Sequence, residues 1–184
     1  MDDGLNAANI ILIGMPGAGK STIGVLLAKA LGMAFIDTDL FLQASEGLLL
    51  QEIIDRSGVK AFLAAEERIL LCLGMEKAVI ATGGSAVYGD KAMEHLKANG
   101  VAIYLHASLA ELDKRLQNMT TRGIAMPPGQ DLAGLYRQRQ PLYEKYADLT
   151  VDCDGKDIEG IVGEIAALVR RTPCPTPSFL RAGG

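Results

Sequence analysis

Gly14-Met15-Pro16-Gly17-Ala18-Gly19-Lys20-Ser21 fills every specified position of a phosphate-cradling loop, GxxxxGK followed by Ser or Thr. What flanks it makes the match informative. On the N-terminal side, Asn9-Ile10-Ile11-Leu12-Ile13 reads as a strand buried in a parallel sheet. On the C-terminal side, from Thr22 to Leu31, apolar residues recur at Ile23, Leu26, Leu27, Ala30 and Leu31, a helical spacing. Strand, glycine-rich turn and helix therefore follow in the required order. Glycines let successive backbone N–H groups curl round a phosphate, at a helix start whose dipole favours the same anion. Gly14, Gly17, Ala18, Gly19, Lys20, Ser21 and Thr22 form the expected phosphate-binding set. Lys20 would reach the β- and γ-phosphates of a nucleoside triphosphate, and Ser21 would offer its hydroxyl to Mg²⁺.

Further short apolar runs at Ala34 to Ile36, Ala78 to Ala81, Val101 to Leu105 and Leu149 to Val151 predict four more strands, with helical stretches between them. Repeated β-α units imply a single α/β/α three-layer domain around a parallel five-stranded sheet, residues 1–171. Ligands of such sheets collect at the carboxyl ends of the strands. Glu111 to Leu116 reads as the end of a helix. Asn118 to Gln130 is rich in Thr, Gly and Pro without a periodicity fit to bury, and is expected to be a mobile lid over the cleft. A helix containing Leu132 to Tyr146 follows, with an interruption expected near Pro141, and the final helix covers about Ile158 to Arg170. Residues 172–184, with Pro173, Pro175, Pro177 and a Gly183-Gly184 end, are expected to form a disordered tail.

Composition narrows the function classes. The chain has 184 residues, 49% of them hydrophobic, enough for one domain with a sizeable core. A formal charge of −4 argues against a nucleic-acid-binding surface, which needs concentrated Lys and Arg. The Met1-Asp2-Asp3 start lacks a basic region and the first apolar run leads straight into the glycine loop, so no signal peptide or membrane span is expected, and a cytoplasmic monomer acting on a small-molecule substrate is. Cys72, Cys153 and Cys174 are widely spaced, and with His95 and His106 they offer neither a disulfide framework nor a zinc-binding pattern.

Asp37-Thr38-Asp39 follows the second predicted strand. Residues two apart on an extended backbone project to one side, which would send both carboxylates to the cleft. Asp37 could then hold the water shell of Mg²⁺ while Asp39 accepts the proton of an attacking hydroxyl. The competing use is a helix cap, since a helix is expected to start near Leu40.

With these elements in place the chain resembles the shikimate kinase family of small-molecule kinases. The resemblance rests on Gly14 to Ser21, on Asp37-Thr38-Asp39, on Thr82-Gly83-Gly84, and on Arg139-Gln140-Pro141-Leu142-Tyr143 followed by Ala147-Asp148, spanning roughly residues 8–165. It implies ATP as phosphoryl donor and Mg²⁺ as metal, held by Ser21 and Asp37. It also implies that Asp39 contacts the reactive hydroxyls, that Gly83 and Gly84 let the acceptor approach the backbone, and that Arg139 binds the acceptor's carboxylate. Arg115 would flank the adenine. Arg122, seven positions on, would be the lid arginine that reaches the transferred phosphate.

Three departures from the family pattern fall on the acceptor side. An arginine that the family pairs with phenylalanine is Leu63 here, after Phe62; the third glycine of the turn is Ser85; and the lid reads Arg122-Gly123-Ile124-Ala125. Losing a charge-assisted contact of roughly 1.5–3 kcal/mol would weaken binding on the order of ten- to a hundredfold unless Arg56, Lys60 or Arg68 compensates. Despite these departures, the resemblance makes shikimate the best single expectation for the acceptor. A kinase for another polyol, hydroxy acid or hydroxy amino acid, and a degenerate nucleotide-binding module, are the alternatives.

Overall fold

Short apolar strands alternating with helices leave each strand's end far from the next strand's start, and that spacing permits only parallel pairing through crossovers. The computed structural model describes residues 9–117, 129 and 131–171. Its five strands are β1 (Asn9–Ile13), β2 (Ala34–Asp37), β3 (Ala78–Ala81), β4 (Gly100–His106) and β5 (Leu149–Asp152). They form one parallel sheet in the order β2-β3-β1-β4-β5. The expected strands are all present, longer by one residue at several ends.

Position in the sheet explains composition. Central β1 is buried at every residue and pairs Ile10 with Val79 on one side and with Val101 on the other. The edge strands β2 and β5 are only partly buried and carry polar residues. Seven α-helices complete the α/β/α layers among the described residues: α1 (Lys20–Leu31), α2 (Thr38–Glu46), α3 (Leu50–Leu71), α4 (Asp90–Ala98), α5 (Leu109–Gln117), α6 (Leu132–Tyr146) and α7 (Ile158–Arg171). None is long and apolar enough to cross a membrane. The expectations for Arg122, for the lid apart from Gly129, for Cys174 and for the tail concern positions outside the described residues.

Two local differences from the sequence expectation have physical causes. α6 runs unbroken through Pro141. Pro141 and Arg137 are both exposed, so the carbonyl that loses its N–H partner lies on the wet face of the helix. Conversely, α3 is broken where no interruption was expected: Gly58 takes φ 79° and ψ 163°, which a glycine adopts without steric penalty.

The apolar residues divide into two clusters. The main core surrounds the sheet, with Ile10, Leu12, Leu27, Ile80, Ile103, Tyr143 and Ile165 among its members. A second, smaller core of Leu42, Ile53, Phe62 and Ala65 joins α2 to α3 beside it. The groove between these two bodies opens at the carboxyl ends of β1, β2 and β3.

Candidate active site

At the end of β1 the chain must turn sharply before α1 begins. Gly19 caps α1 with φ 94° and no side-chain cap, so the first N–H groups of the helix are left for an anion. Gly14 has φ 148°, and a β-carbon there would lie 2.7 Å from the Leu105 carbonyl oxygen. Lys20 is 7% exposed, and its Nζ donates to the carbonyls of Gly14 (2.7 Å) and Met15 (2.9 Å). The ammonium is thus held against the loop's own backbone. The anion-directed helix start, the glycine backbone and the adjacent buried cation fit a nucleotide phosphate, and Ser21 beside them fits its metal.

At the end of β2 the two aspartates reach the cleft by different routes. Asp37 is the last strand residue and caps α2: its Oδ1 accepts from the N–H groups of Asp39 (3.0 Å) and Leu40 (3.4 Å). Asp39 lies in the first turn of that helix, so helix geometry brings it to the cleft and the expected strand alternation does not. The helix starts at Thr38, two residues before the expected point, and the carboxylate that caps it also lines the cleft. Thr38 is not a spacer. Its Oγ1 accepts from Gly83 N–H at 3.0 Å, tying the aspartate segment to the turn after β3.

That turn is short of space. A β-carbon on Gly84 would sit 2.9 Å from Pro16 Cδ and 3.1 Å from Arg139 Nη1; one on Gly83 would lie 2.7 Å from Asp39 Oδ1 and collide with Glu66 Oε1. On α6, Arg139 and Tyr143 are one helical turn apart and both fully buried. Tyr143 donates its hydroxyl to the Gly84 carbonyl at 2.6 Å and stacks on Tyr104 with ring centroids 5.1 Å apart. Arg139 Nε donates to Tyr88 Oη at 3.1 Å, and its guanidinium lies 5.2 Å from that ring's centroid. The Arg-x-x-x-Tyr spacing therefore joins one helix to both the glycine turn and the cleft.

The resulting cavity of about 260 Å³ brings together Gly17, Gly19, Lys20, Ser21, Asp37, Asp39, Gly84 and Arg139 of the expected set. Gly14 and Ala18 are buried beneath the loop, and Thr22 is exposed on α1 away from the cavity. Arg115 stands on the outer flank, donating to Glu111 Oε1 at 2.8 Å and reaching the carbonyls of Gly17 and Cys153 at 3.5 Å. Arg56, Lys60 and Arg68 are exposed and line no part of the cavity, and Arg68 pairs with Glu46 at 2.6 Å. Leu63 lines a second cavity of about 200 Å³ on the far side of Ser85, with Glu66 and Tyr88.

Glu66, beside the cavity and next to Asp39, is the candidate residue that the sequence analysis did not single out. It is 4% exposed and accepts from Ser85 Oγ at 2.6 Å through Oε2, while the buried Oε1 has no hydrogen-bond partner. Burial pushes its carboxyl up to about 7; the Ser85 hydrogen bond works against that, the Asp39 charge adds to it, and Arg139 and Lys20 oppose it. The available signal was positional: Glu66 is one helical turn beyond Phe62, on the stripe of α3 that also buries Ala65 and Leu70.

Comparison with known proteins identifies the family. The shikimate kinase family model matches residues 16–170. A shikimate kinase of Pseudomonas aeruginosa is 40% identical over 169 residues, covering 90% of this chain and 98% of the relative. One of Thiobacillus denitrificans is 38% identical over 156 residues, 83% and 85% of the two chains. The structure of the Acinetobacter baumannii shikimate kinase in complex with shikimate superposes with a TM-score of 0.83 at 29% identity, covering 90% of this chain and 94% of the other. With four of the five strands, most of the glycine loop and α6 inside residues 16–170, the chain belongs to the shikimate kinase family.

Proposed function

We propose that the protein transfers the γ-phosphoryl group of ATP to a hydroxyl of shikimate, giving shikimate 3-phosphate. One observation carries the reading: the start of α1, the Asp39 carboxylate and the buried Arg139 guanidinium line a single cavity, so phosphate donor, proton acceptor and carboxylate clamp face a common space. The Gly19-capped start of α1 and Lys20 bind the phosphates, and Lys20 exchanges its Gly14 and Met15 carbonyl partners for phosphoryl oxygens as charge builds there. Ser21 and Asp37 would hold Mg²⁺, which supplies neutralisation of phosphate charge when bound. Asp39 orients the acceptor hydroxyl and takes its proton. Arg139 receives the acceptor's carboxylate in its planar fork of donors, and Gly83 and Gly84 let the ring approach the backbone. Arg115 flanks the adenine from outside the loop.

The test is ADP release with ATP and Mg²⁺ across a panel of hydroxylated acids, polyols and hydroxy amino acids. Shikimate should turn over with a KM in the micromolar to millimolar span common to enzymes. Brisk use of another hydroxyl compound with none of shikimate would overturn the assignment, and nucleotide binding without any turnover would favour a regulatory module.

A further inference from the structure

Beside the acceptor end of the cavity, two carboxyl groups crowd one glycine. Glu66 Oε1 and Asp39 Oδ1 both lie where a β-carbon on Gly83 would go. Glu66 comes from α3 and Asp39 from α2, and the Ser85 hydroxyl anchors only the far oxygen of Glu66. The near oxygen is buried and has no partner. Two ionised carboxylates in that space would repel one another in a low dielectric, whereas one neutral acid can donate to its neighbour.

We propose that Glu66 is a positioning residue for the proposed phosphoryl transfer: anchored by Ser85, it carries a proton on Oε1 and donates it in a hydrogen bond that aims the Asp39 carboxylate at the acceptor hydroxyl. The charged groups facing Glu66 are Asp39 on α2, Arg139 on α6 and Lys20 on α1. Burial and Asp39 favour the proton, Arg139 and Lys20 oppose it, and the balance of these with the Ser85 bond lies near pH 7. Above that pH a second anion stands beside Asp39, the donor is lost, and the carboxylate is pushed out of line.

The proposal rests on the kinase reading, so one measurement needs substrate and the other does not. With saturating Mg²⁺ and ATP, wild-type kcat for shikimate should fall between about pH 6 and pH 8, while nucleotide KM stays level. In Glu66→Gln, which keeps a donor and cannot ionise, kcat should be lower by a few-fold at about pH 6 and should lack that fall. In Ser85→Ala the fall should move to higher pH, because a bond that favours the anion has gone.

Without ligand, the sign follows from linkage: the unfolded Glu66 gives up its proton near its ordinary value of 4.5, but the folded one keeps it until about 7. Wild type therefore loses stability as pH rises through that window. The Tm of Glu66→Gln relative to wild type should climb across it. A Glu66→Gln pH profile of the same shape as wild type overturns the proposal, as does a Tm difference that does not change with pH. Absence of shikimate turnover by wild type would instead overturn the functional reading, and the ligand-free Tm comparison would still decide whether Glu66 holds its proton.

Discussion

Lys20 and Asp39 show how differently two residues of one cleft respond to substitution. The lysine has work to do before any phosphate arrives, because its ammonium binds the carbonyls of Gly14 and Met15. Lys20→Ala is therefore expected to abolish measurable turnover and also to lower stability, by roughly 1–3 kcal/mol for lost charge-assisted bonds at a buried site. Kinetics together with thermal unfolding would check this, and near-normal kcat in a folded variant would refute the phosphate role. Asp39 sits in an exposed-ended first turn that Asp37 already caps, so Asp39→Asn should fold normally. It should lower kcat roughly 10²–10⁴-fold, the range for a positioned general base, and leave nucleotide affinity nearly unchanged. A fall in nucleotide affinity at constant kcat would assign Asp39 to the metal instead.

Among the elements, the turn between β3 and the 3₁₀ segment Ala86–Tyr88 has the least room, being wedged between the phosphate loop at Pro16 and α6 at Arg139. Gly84→Ala places a methyl group 2.9 Å from Pro16 Cδ, and relief by moving Pro16 or Arg139 disturbs both substrates. The expected outcome is a KM for shikimate raised roughly tenfold or more, with a smaller rise for ATP, since overpacking of this kind typically costs about 1–3 kcal/mol. Steady-state kinetics with each substrate varied would measure it; unchanged KM values would mean the turn yields freely. Sequence revealed the elements themselves well. Parallel strands buried on both faces read as apolar runs, which is why β1, β3 and β4 could be located almost to the residue. The glycine loop was legible because its spacing is dictated by a phosphate. Less legible was anything set by packing between distant elements. Nothing local distinguishes Glu66 from an ordinary helix acid; its burial against Ser85, nineteen residues away, is a tertiary contact. Leu63 was read against an arginine and proves to face a separate cavity. The break at Gly58 lacked a local signal, since glycine inside a helix is tolerated or not according to its surroundings. Asp37 was assigned to metal or cap as alternatives; the strand-to-helix junction lets one oxygen serve the cap while the carboxylate still lines the cleft.

For the molecule as a whole, the division into a large core around the sheet and a small one between α2 and α3 predicts unequal resistance to opening. Four fully packed apolar residues hold the smaller body, so it should open at lower free energy than the sheet. Amide exchange in α2 and α3 should be faster than in β1 and β4, and should slow on adding shikimate if it bridges Asp39 to Arg139 as proposed. Equal protection of the two bodies, with or without shikimate, would show a single cooperative unit. Arg139 has the opposite character. Its guanidinium is 1% exposed against Tyr88 in the main body, so it loses its hydration when the chain folds, well before an acceptor approaches. A carboxylate then meets a cation already stripped of competing water and fixed in direction. The corollary is a trade between durability and affinity: a buried guanidinium carries a desolvation penalty that an apolar side chain of similar volume does not. Arg139→Met should accordingly melt no lower than wild type, by calorimetry, while losing shikimate binding. A clear drop in Tm would show that the arginine is a strut of the fold. An unchanged or raised Tm would mean that the protein gives up robustness at this position to keep a charge ready for its substrate.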